Sequence, residues 1–434
     1  MKIKNITKLS VLSLLGLLSI SVISSTCSND TLADIYVRNA HVNKTNKIKN
    51  IIMFIGDGMG PNHVDAGEIY LGRDFVFSNP NDSKWSFHGY QNTDSLTSVG
   101  YTLDTTKSLL RPELNPTLYD DADSPYTNGG NASGNFMSDT CYTDSAAGGT
   151  ALATGYKTTN STLGLNKHGQ KLQNLVEIAH SLNKMTGVVT TDSLDGATPS
   201  SFLVHVEERH LSSEIVDQMM VSDANLIIGE KPSVWSDTTT SNYTLNGWDV
   251  ATSLSETNPE SNKEIIVLPG LVANSHISPS LSDLTIYALD KLDNEEGFFL
   301  MVEGASIDKA SHSNQTRTMM QELLDFENAI MTATKWAEAR EDTLMIVTAD
   351  HETGGLYFNR DVADQTNILD EINWLTYNHS RTRVGVDVYG DISEFVNTYQ
   401  EQLTKQGILD EGMPTQSPYY WDNTDVFRLA ASYL

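Results

Sequence analysis

Four short runs of apolar, largely β-branched residues constrain this chain more than any other feature. Ile51–Asp57, Thr186–Asp192, Phe298–Glu303 and Leu344–Asp350 each end abruptly in a carboxylate. Unbroken apolar runs of this length suit strands covered on both faces, as in a parallel sheet. Between them, Gln173–Leu182, Leu281–Leu292 and Met319–Ala337 place apolar residues at helical spacing. Strands alternating with helices predict a doubly wound α/β domain, with a mostly parallel central sheet and helices on both faces. In such a sheet ligands gather at the carboxyl ends of the strands. The carboxylates stand at those ends.

With 434 residues, 39% of them hydrophobic, the chain can bury a large core. Its 56 acidic residues against 28 basic ones give a net charge of -28. That field repels polyanions, so no nucleic-acid-binding surface is expected and any phosphate site must be built locally. At the N-terminus Lys2, Lys4 and Lys8 precede an apolar run from Leu9 to Ile23, the pattern of an export signal. Two processing routes stay open: removal of residues 1–33 by cleavage after Ala33, or of 1–26 with lipidation of Cys27. Only the second would attach the protein to a membrane; either places it in the periplasm or outside the cell. Cys141 is the only other cysteine, so no intramolecular disulfide is expected in the mature chain. Residues 34–434 read as a single domain. Its segments 104–138 and 231–263, rich in small polar residues, read as insertions that cap the site or border a subunit contact.

Three strand ends carry metal-ligand chemistry. Asp57 sits in a glycine-rich turn, Gly56 to Gly60, where the backbone can bend sharply and the carboxylate can face a cation. Glu303 is followed by Asp308 and His312, which share one face of a helical turn at a spacing suited to zinc. Asp350 and His351 are adjacent, and both can reach one metal only in a turn. Any one segment alone would read as a capping or ion-paired cluster; three separate strands ending this way argue against that. His379 is the best isolated candidate for a further ligand, although periodicity alone does not separate it from His276. Ser145 follows Asp144 and leads a run of Ala and Gly residues. A helix starting there would turn its first N–H groups toward an anion at the hydroxyl. A serine nucleophile needs activation, and without a Gly-x-Ser-x-Gly elbow a metal is the natural activator.

Taken in order, Gly56–Gly60, Thr143–Ala146, Ala197 through Arg209, Val302–Lys309, Thr348–His351 and His379 resemble the bacterial alkaline phosphatase family across nearly the whole mature chain. The resemblance implies that Ser145 becomes phosphorylated and that Arg209 grips two phosphate oxygens. It also implies that Asp308, His312 and His379 bind one Zn2+ and Asp57, Asp350 and His351 a second. Glu303 and Thr198, with Asp57 bridging, match a third site that usually holds Mg2+. Lys309 is similar to a lysine that reaches phosphate through water. The implied substrates are small phosphate monoesters, hydrolysed to alcohol and inorganic phosphate. Many members carry an acidic or histidine side chain just before Ala197; here Gly196 stands there, after Asp195. Residues 352–378 correspond to a short crown-like segment. Dimerisation, common in that family, is left open. The competing readings are a phosphodiesterase of the same superfamily and a non-catalytic exported protein that binds zinc or phosphate.

Overall fold

The computed structural model describes residues 47–96, 142–271, 279–405 and 421–434. The expected signal segment 1–33 with Cys27, the insertion 104–138, Cys141 and His276 lie outside the described residues.

The strands in chain order are β1 (Asn50–Gly56), β2 (Trp85–Asn92), β3 (Met185–Ser193), β4 (Leu226–Glu230), β5 (Asp249–Ala251), β6 (Glu264–Leu268), β7 (Phe298–Gly304), β8 (Thr343–Thr348), β9 (Glu352–Thr353), β10 (Leu356–Tyr357), β11 (Asn373–Trp374), β12 (His379–Ser380), β13 (Val384–Tyr389) and β14 (Trp421–Asp422). Ten of them form one sheet in the order β14-β2-β13-β8-β1-β7-β3-β4-β6-β5, while β9 pairs with β12 and β10 with β11. Within the large sheet every pairing is parallel except those of β13, which runs against both β8 and β2. The doubly wound, mostly parallel architecture expected from the four apolar runs is therefore present.

Alternation along the central strands divides the core. Ile51, Met53 and Ile55 of β1 join one cluster with Phe299, Met301, Leu344 and Ile346. Ile52 and Phe54 join the other, with Leu300, Val302, Met345 and Val347. The first is covered by helices Ser145–Thr154, Leu175–Ser181, Ser212–Met220 and Asn423–Tyr433. The second is covered by Pro61–Leu71, Leu281–Leu292 and Thr316–Ala337. Every residue of β1, β7 and β8 is buried. Burying whole strands on both faces is what removed the polar alternation from their sequences.

Residues 231–263 do not form a cap over the site. They carry the helix Asp237–Leu245 and the edge strand β5, four strands away from β7. Trp235, Tyr243 and Trp248 lock this segment down: the Tyr243 ring centroid lies 4.7 Å from that of Trp235 and 5.8 Å from that of Trp248. The Tyr243 hydroxyl donates to the Val216 carbonyl at 2.7 Å and the Trp248 indole to the Met220 carbonyl at 2.8 Å. Three buried aromatics packed together, two of them bonded to a neighbouring helix, make this an extension of the sheet. Among the described residues no helix is long and apolar enough to cross a membrane.

Candidate active site

Strand register sets the site. Thr348, Ile55, Glu303 and Thr190 lie in one row across β8, β1, β7 and β3. Asp350, Asp57 and Asp192 each stand two residues beyond that row, so one level above the sheet carries carboxylates from three strands. The turn after β1 fits beneath them because Gly58 adopts φ +72 and a Cβ there would lie 2.9 Å from the Asp308 backbone. The Gly58 amide donates to Asp350 Oδ1 at 3.2 Å, and the His351 amide donates to the same oxygen at 2.9 Å. Asp350 and His351, adjacent in sequence, thus meet through a turn that the β1 glycine loop holds.

Around His351 the acceptors converge. Its Nε2 lies 3.1 Å from Asp350 Oδ2, 3.6 Å from Asp57 Oδ1 and 3.2 Å from Ser145 Oγ. Neither Asp350 Oδ2 nor Asp57 Oδ1 has a hydrogen-bond partner among the described residues, although both are buried. Beside this cluster His312 Nε2 lies 3.0 Å from His379 Nε2 and 3.3 Å from Asp308 Oδ1, and His379 Nε2 lies 3.6 Å from the same oxygen. Both imidazoles face a carbonyl through Nδ1, His312 that of Tyr377 at 2.5 Å and His379 that of Thr143 at 2.7 Å. Each Nδ1 must therefore carry the proton, which leaves the two Nε2 lone pairs pointing at one another. Acceptors held this close need a positive charge between them. Two sets of groups able to hold a metal ion result, Asp57–Asp350–His351 and Asp308–His351–His379, with His351 in both and its ring stacked on that of His379 at 3.5 Å; His312 lies against the second set.

Electrostatics agree. Burial, then the charges of Asp350, Asp308 and Glu303, push the Asp57 carboxyl well above its usual range. Burial, then Asp308, raises Asp350 to about 7. Glu303 rises to about 8 through burial and then the Asp192 charge. Burial, then the neighbouring imidazoles, holds His351 well below the usual histidine value, so it is neutral and offers a lone pair. Thr353, whose hydroxyl donates to Asp308 Oδ1 at 2.5 Å and meets His351 Nδ1 at 3.3 Å, fixes the orientation of both.

Ser145 is the first residue of the helix Ser145–Thr154, and Asp144 caps it by accepting from the Ala147 amide at 3.0 Å. All ten helix residues are buried. Gly148 and Gly149 allow the close approach: a Cβ on Gly148 would lie 2.9 Å from the Asp350 carbonyl oxygen, and one on Gly149 2.9 Å from Ser201 Oγ. The small residues are thus a packing device, and that packing is what brings the hydroxyl against His351. The second Asp144 oxygen accepts from the Ser161 amide at 2.9 Å and from Arg209 Nη1 at 3.1 Å, tying the guanidinium to the start of the same helix. Lys309 pairs with Asp192 Oδ1 at 2.6 Å. Glu303 accepts from the Thr190 hydroxyl. Thr198 faces Glu303, and among the described residues its buried hydroxyl makes no hydrogen bond of normal geometry.

The sequence reading had not assigned Asp192, Thr190 or Thr353. Asp192 carries the same signal as Asp57 and Asp350, a carboxylate closing an apolar run; nothing local in the sequence singles out the two threonines.

A family model for alkaline phosphatase matches residues 121–232 and 267–412, more than half of the chain. The chain is 32% identical over 328 residues to alkaline phosphatase 4 of Bacillus subtilis, an alignment covering 71% of this chain and 62% of that protein. It is 26% identical over 370 residues to the alkaline phosphatase of Escherichia coli, covering 70% of each. The chain spans about three-fifths of the length of the two Bacillus relatives it matches. Among solved structures, alkaline phosphatase from the Antarctic bacterium TAB5 superposes with a TM-score of 0.63 at 26% identity, covering 89% of this chain and 97% of that one. The Thermus thermophilus alkaline phosphatase reaches 0.64 at 19% identity, covering 90% and 92%, and bears on the fold alone.

Proposed function

Since the chain belongs to the alkaline phosphatase family, we propose that it hydrolyses phosphate monoesters through a phosphoserine at Ser145, with two Zn2+ and one Mg2+ as cofactors. The observation that carries this reading is the position of Ser145: its hydroxyl lies 3.2 Å from His351 Nε2, at the mouth of one ligand cluster and at a helix N-terminus. A protein that only stored metal or phosphate would have no use for a nucleophile placed there.

The residues fit the ions. Ligands roughly 2.0–2.1 Å from a tetrahedral zinc ion sit about 3.3 Å from one another. Asp308, His312 and His379 are separated by 3.0, 3.3 and 3.6 Å, and His351 by 3.1 and 3.6 Å from Asp350 and Asp57. Imidazoles and carboxylates suit zinc at both places. Glu303, Thr198 and Asp57 offer oxygen alone, which suits magnesium. When bound, such ions supply Lewis acidity, lowering the pKa of the serine hydroxyl and of water and stabilising the departing oxygen.

The chain's own groups do the rest. Ser145 Oγ attacks phosphorus, the bond from phosphorus to the alcohol oxygen breaks, and the alcohol leaves with a proton. Water then attacks the phosphoserine, returning the Ser145 hydroxyl and releasing phosphate. Arg209 holds two phosphate oxygens through its planar fork, oriented by Asp144. The first N–H groups of the Ser145–Thr154 helix favour the anion, and Lys309 adds positive charge at the rim. Recognition confined to the phosphoryl group implies a broad range of alcohols. Residues 1–33 would direct export, or 1–26 with a lipidated Cys27; the mass of the mature N-terminus distinguishes the two.

The test is hydrolysis of p-nitrophenyl phosphate by wild type and Ser145→Ala, each chelated and then reloaded with zinc and magnesium, with acid quenching to trap phosphoserine. Activity and trapped phosphate should both require the metals and Ser145. No turnover by folded, metal-loaded wild type would overturn the reading.

A further inference from the structure

His63 is completely buried, yet the functional reading gives it no part in holding metal or phosphate. It stands in the first turn of the helix Pro61–Leu71, directly after the glycine turn that carries Asp57. Its Nδ1 accepts from the Gly60 amide at 3.2 Å, and its Nε2 lies 3.1 Å from Ser311 Oγ. The Gly60 bond puts the lone pair on Nδ1, so Nε2 carries the proton and donates it to Ser311. Ser311 in turn donates to the Ile307 carbonyl at 2.7 Å. Each donor and acceptor of this buried chain is thus matched. Burial pushes the imidazole pKa down to about 3, so the pattern holds from mild acid to alkaline pH. Trp374 packs edge-on against the same ring, with 5.8 Å between centroids and 66° between planes, and its indole donates to the Thr316 hydroxyl at 3.0 Å.

The two segments joined by His63 differ in how firmly they are held. The glycine turn continues β1: the Asp57 amide donates to the Gly304 carbonyl at 3.2 Å, and the Gly58 amide donates to Asp350. The helix Ser306–His312 has only seven residues and no capping side chain, and a helix that short has little stability of its own. It nevertheless presents Asp308 and His312. Ser311, completely buried, lies one turn after Asp308 and directly before His312.

We propose that His63 is a positioning residue, which through its Nε2–H bond to Ser311 carries the rigidity of the β1 turn into the helix that presents Asp308 and His312. The order of that metal cluster is then partly set before an ion binds. The proposal rests on the functional reading above only for the identity of the ion as zinc.

The test compares wild type with His63→Gln, His63→Asn, Ser311→Ala and the double variant His63→Asn with Ser311→Ala. At this position Gln offers an oxygen to the Gly60 amide, as in an ordinary capping box, and an amide N–H toward Ser311. The shorter Asn keeps only the first. The direct readout is zinc retained per chain at graded chelator concentrations, by elemental analysis. His63→Asn and Ser311→Ala should release the more weakly held ion at chelator concentrations about tenfold lower than wild type. His63→Gln should stay close to wild type, and the double variant should be no worse than the poorer single one. Release of the second ion and the inhibition constant for inorganic phosphate, which reports on Arg209, should not move. Equal zinc loss in Asn and Gln overturns the proposal, because the imidazole would then only fill space. Wild-type retention in Ser311→Ala, or additive losses in the double variant, overturns it too. Should His63→Asn not fold, Ser311→Ala and His63→Gln decide the matter. Failure of the functional reading would show separately, as absence of trapped phosphoserine in wild type, with zinc retention still measuring the bond.

Discussion

Asp144 is the residue whose replacement separates helix capping from phosphate recognition most cleanly. Its Oδ1 accepts from the Ala147 amide, and its Oδ2 accepts from the Ser161 amide and Arg209. Replacement by Asn keeps an oxygen for Ala147, and Asn caps helices as well as Asp. The amide nitrogen then faces two donors, so the bonds to Ser161 and Arg209 are lost. Replacement by Ala loses all three. Losing the Ser161 bond costs about 1 kcal/mol, and losing the cap about 1 more. Asp144→Asn should therefore be destabilised by about 1 kcal/mol and Asp144→Ala by about 2, read from denaturant midpoints at fixed free zinc. Both variants release Arg209. Ordering a free, rotamer-rich side chain on binding costs about 0.5–1.5 kcal/mol, so inhibition by inorganic phosphate should weaken roughly 2- to 10-fold, and equally in the two. Equal destabilisation of Asn and Ala would refute the capping argument. A phosphate inhibition constant unchanged in both would refute the claim that Asp144 preorganises Arg209.

Three further outcomes follow from the same buried groups. In metal-stripped protein Asp350 and Glu303 hold protons up to about 7 and about 8, whereas in the unfolded chain they lose them near 4. The native state then binds more protons between those values, so the denaturation midpoint should fall as pH rises from about 4 to 8, a fall that zinc and magnesium abolish. Burial opposes protonation of His205, but hydrogen bonds to Glu177 at 2.9 Å and the Gly164 carbonyl at 2.8 Å raise its pKa above the usual value. Its stabilisation is complete below about pH 6.5 and is lost as pH rises through the folded value, so the stability gap between wild type and His205→Gln should narrow as pH rises above about 6.5. Gly58→Ala combines a positive φ with a Cβ 2.8 Å from Thr353 Oγ1 and 2.9 Å from Asp308 Cα. It should cost about 1–3 kcal/mol and release zinc at lower chelator concentrations than wild type.

The central sheet was legible because β1, β3, β7 and β8 are buried on both faces, which leaves uninterrupted apolar runs in the sequence. The helix Leu281–Leu292 was legible to its ends, since Ser280 caps it and its buried residues recur at helical spacing. The helix Asp237–Leu245 was not: only Tyr243 of its nine residues is buried, so it has no apolar stripe, and the Ser236–Thr239 capping box starts it. Nor did the sequence show that β13 runs antiparallel, because strand direction depends on where the chain returns and leaves no local pattern. In the site, the strand-end residues Asp57, Glu303 and Asp350 could be read from their context. His379 could be named a candidate from its context but separated from His276 only through the family resemblance, because it is delivered by the two-residue strand β12 on Thr353 of β9.

That difference follows from how the site is built. The level of Asp57, Asp192 and Asp350 is fixed by sheet register, and displacing Asp57 or Asp350 would shift a fully buried strand. His312 and His379 are held instead by single carbonyls, of Tyr377 and Thr143. His312 is also partly exposed, with 37% of its side chain accessible. The cluster of Asp57, Asp350 and His351 is therefore preorganised by the core, and the His312 and His379 side of the other by a few local hydrogen bonds, that of His312 exposed. Where ligand order is set by weak local contacts, the ion must supply more of it on binding, and its affinity falls accordingly. The metal held by His312 and His379 should be the first to leave under chelation. Ser145, the proposed nucleophile, lies beside the Asp57, Asp350 and His351 cluster, so it should keep its activating neighbour after an ion at the other cluster is lost. Formation of phosphoserine should then outlast its turnover as chelator is added, and acid-quenched protein should pass through a chelator range in which label accumulates while steady-state release of phosphate falls.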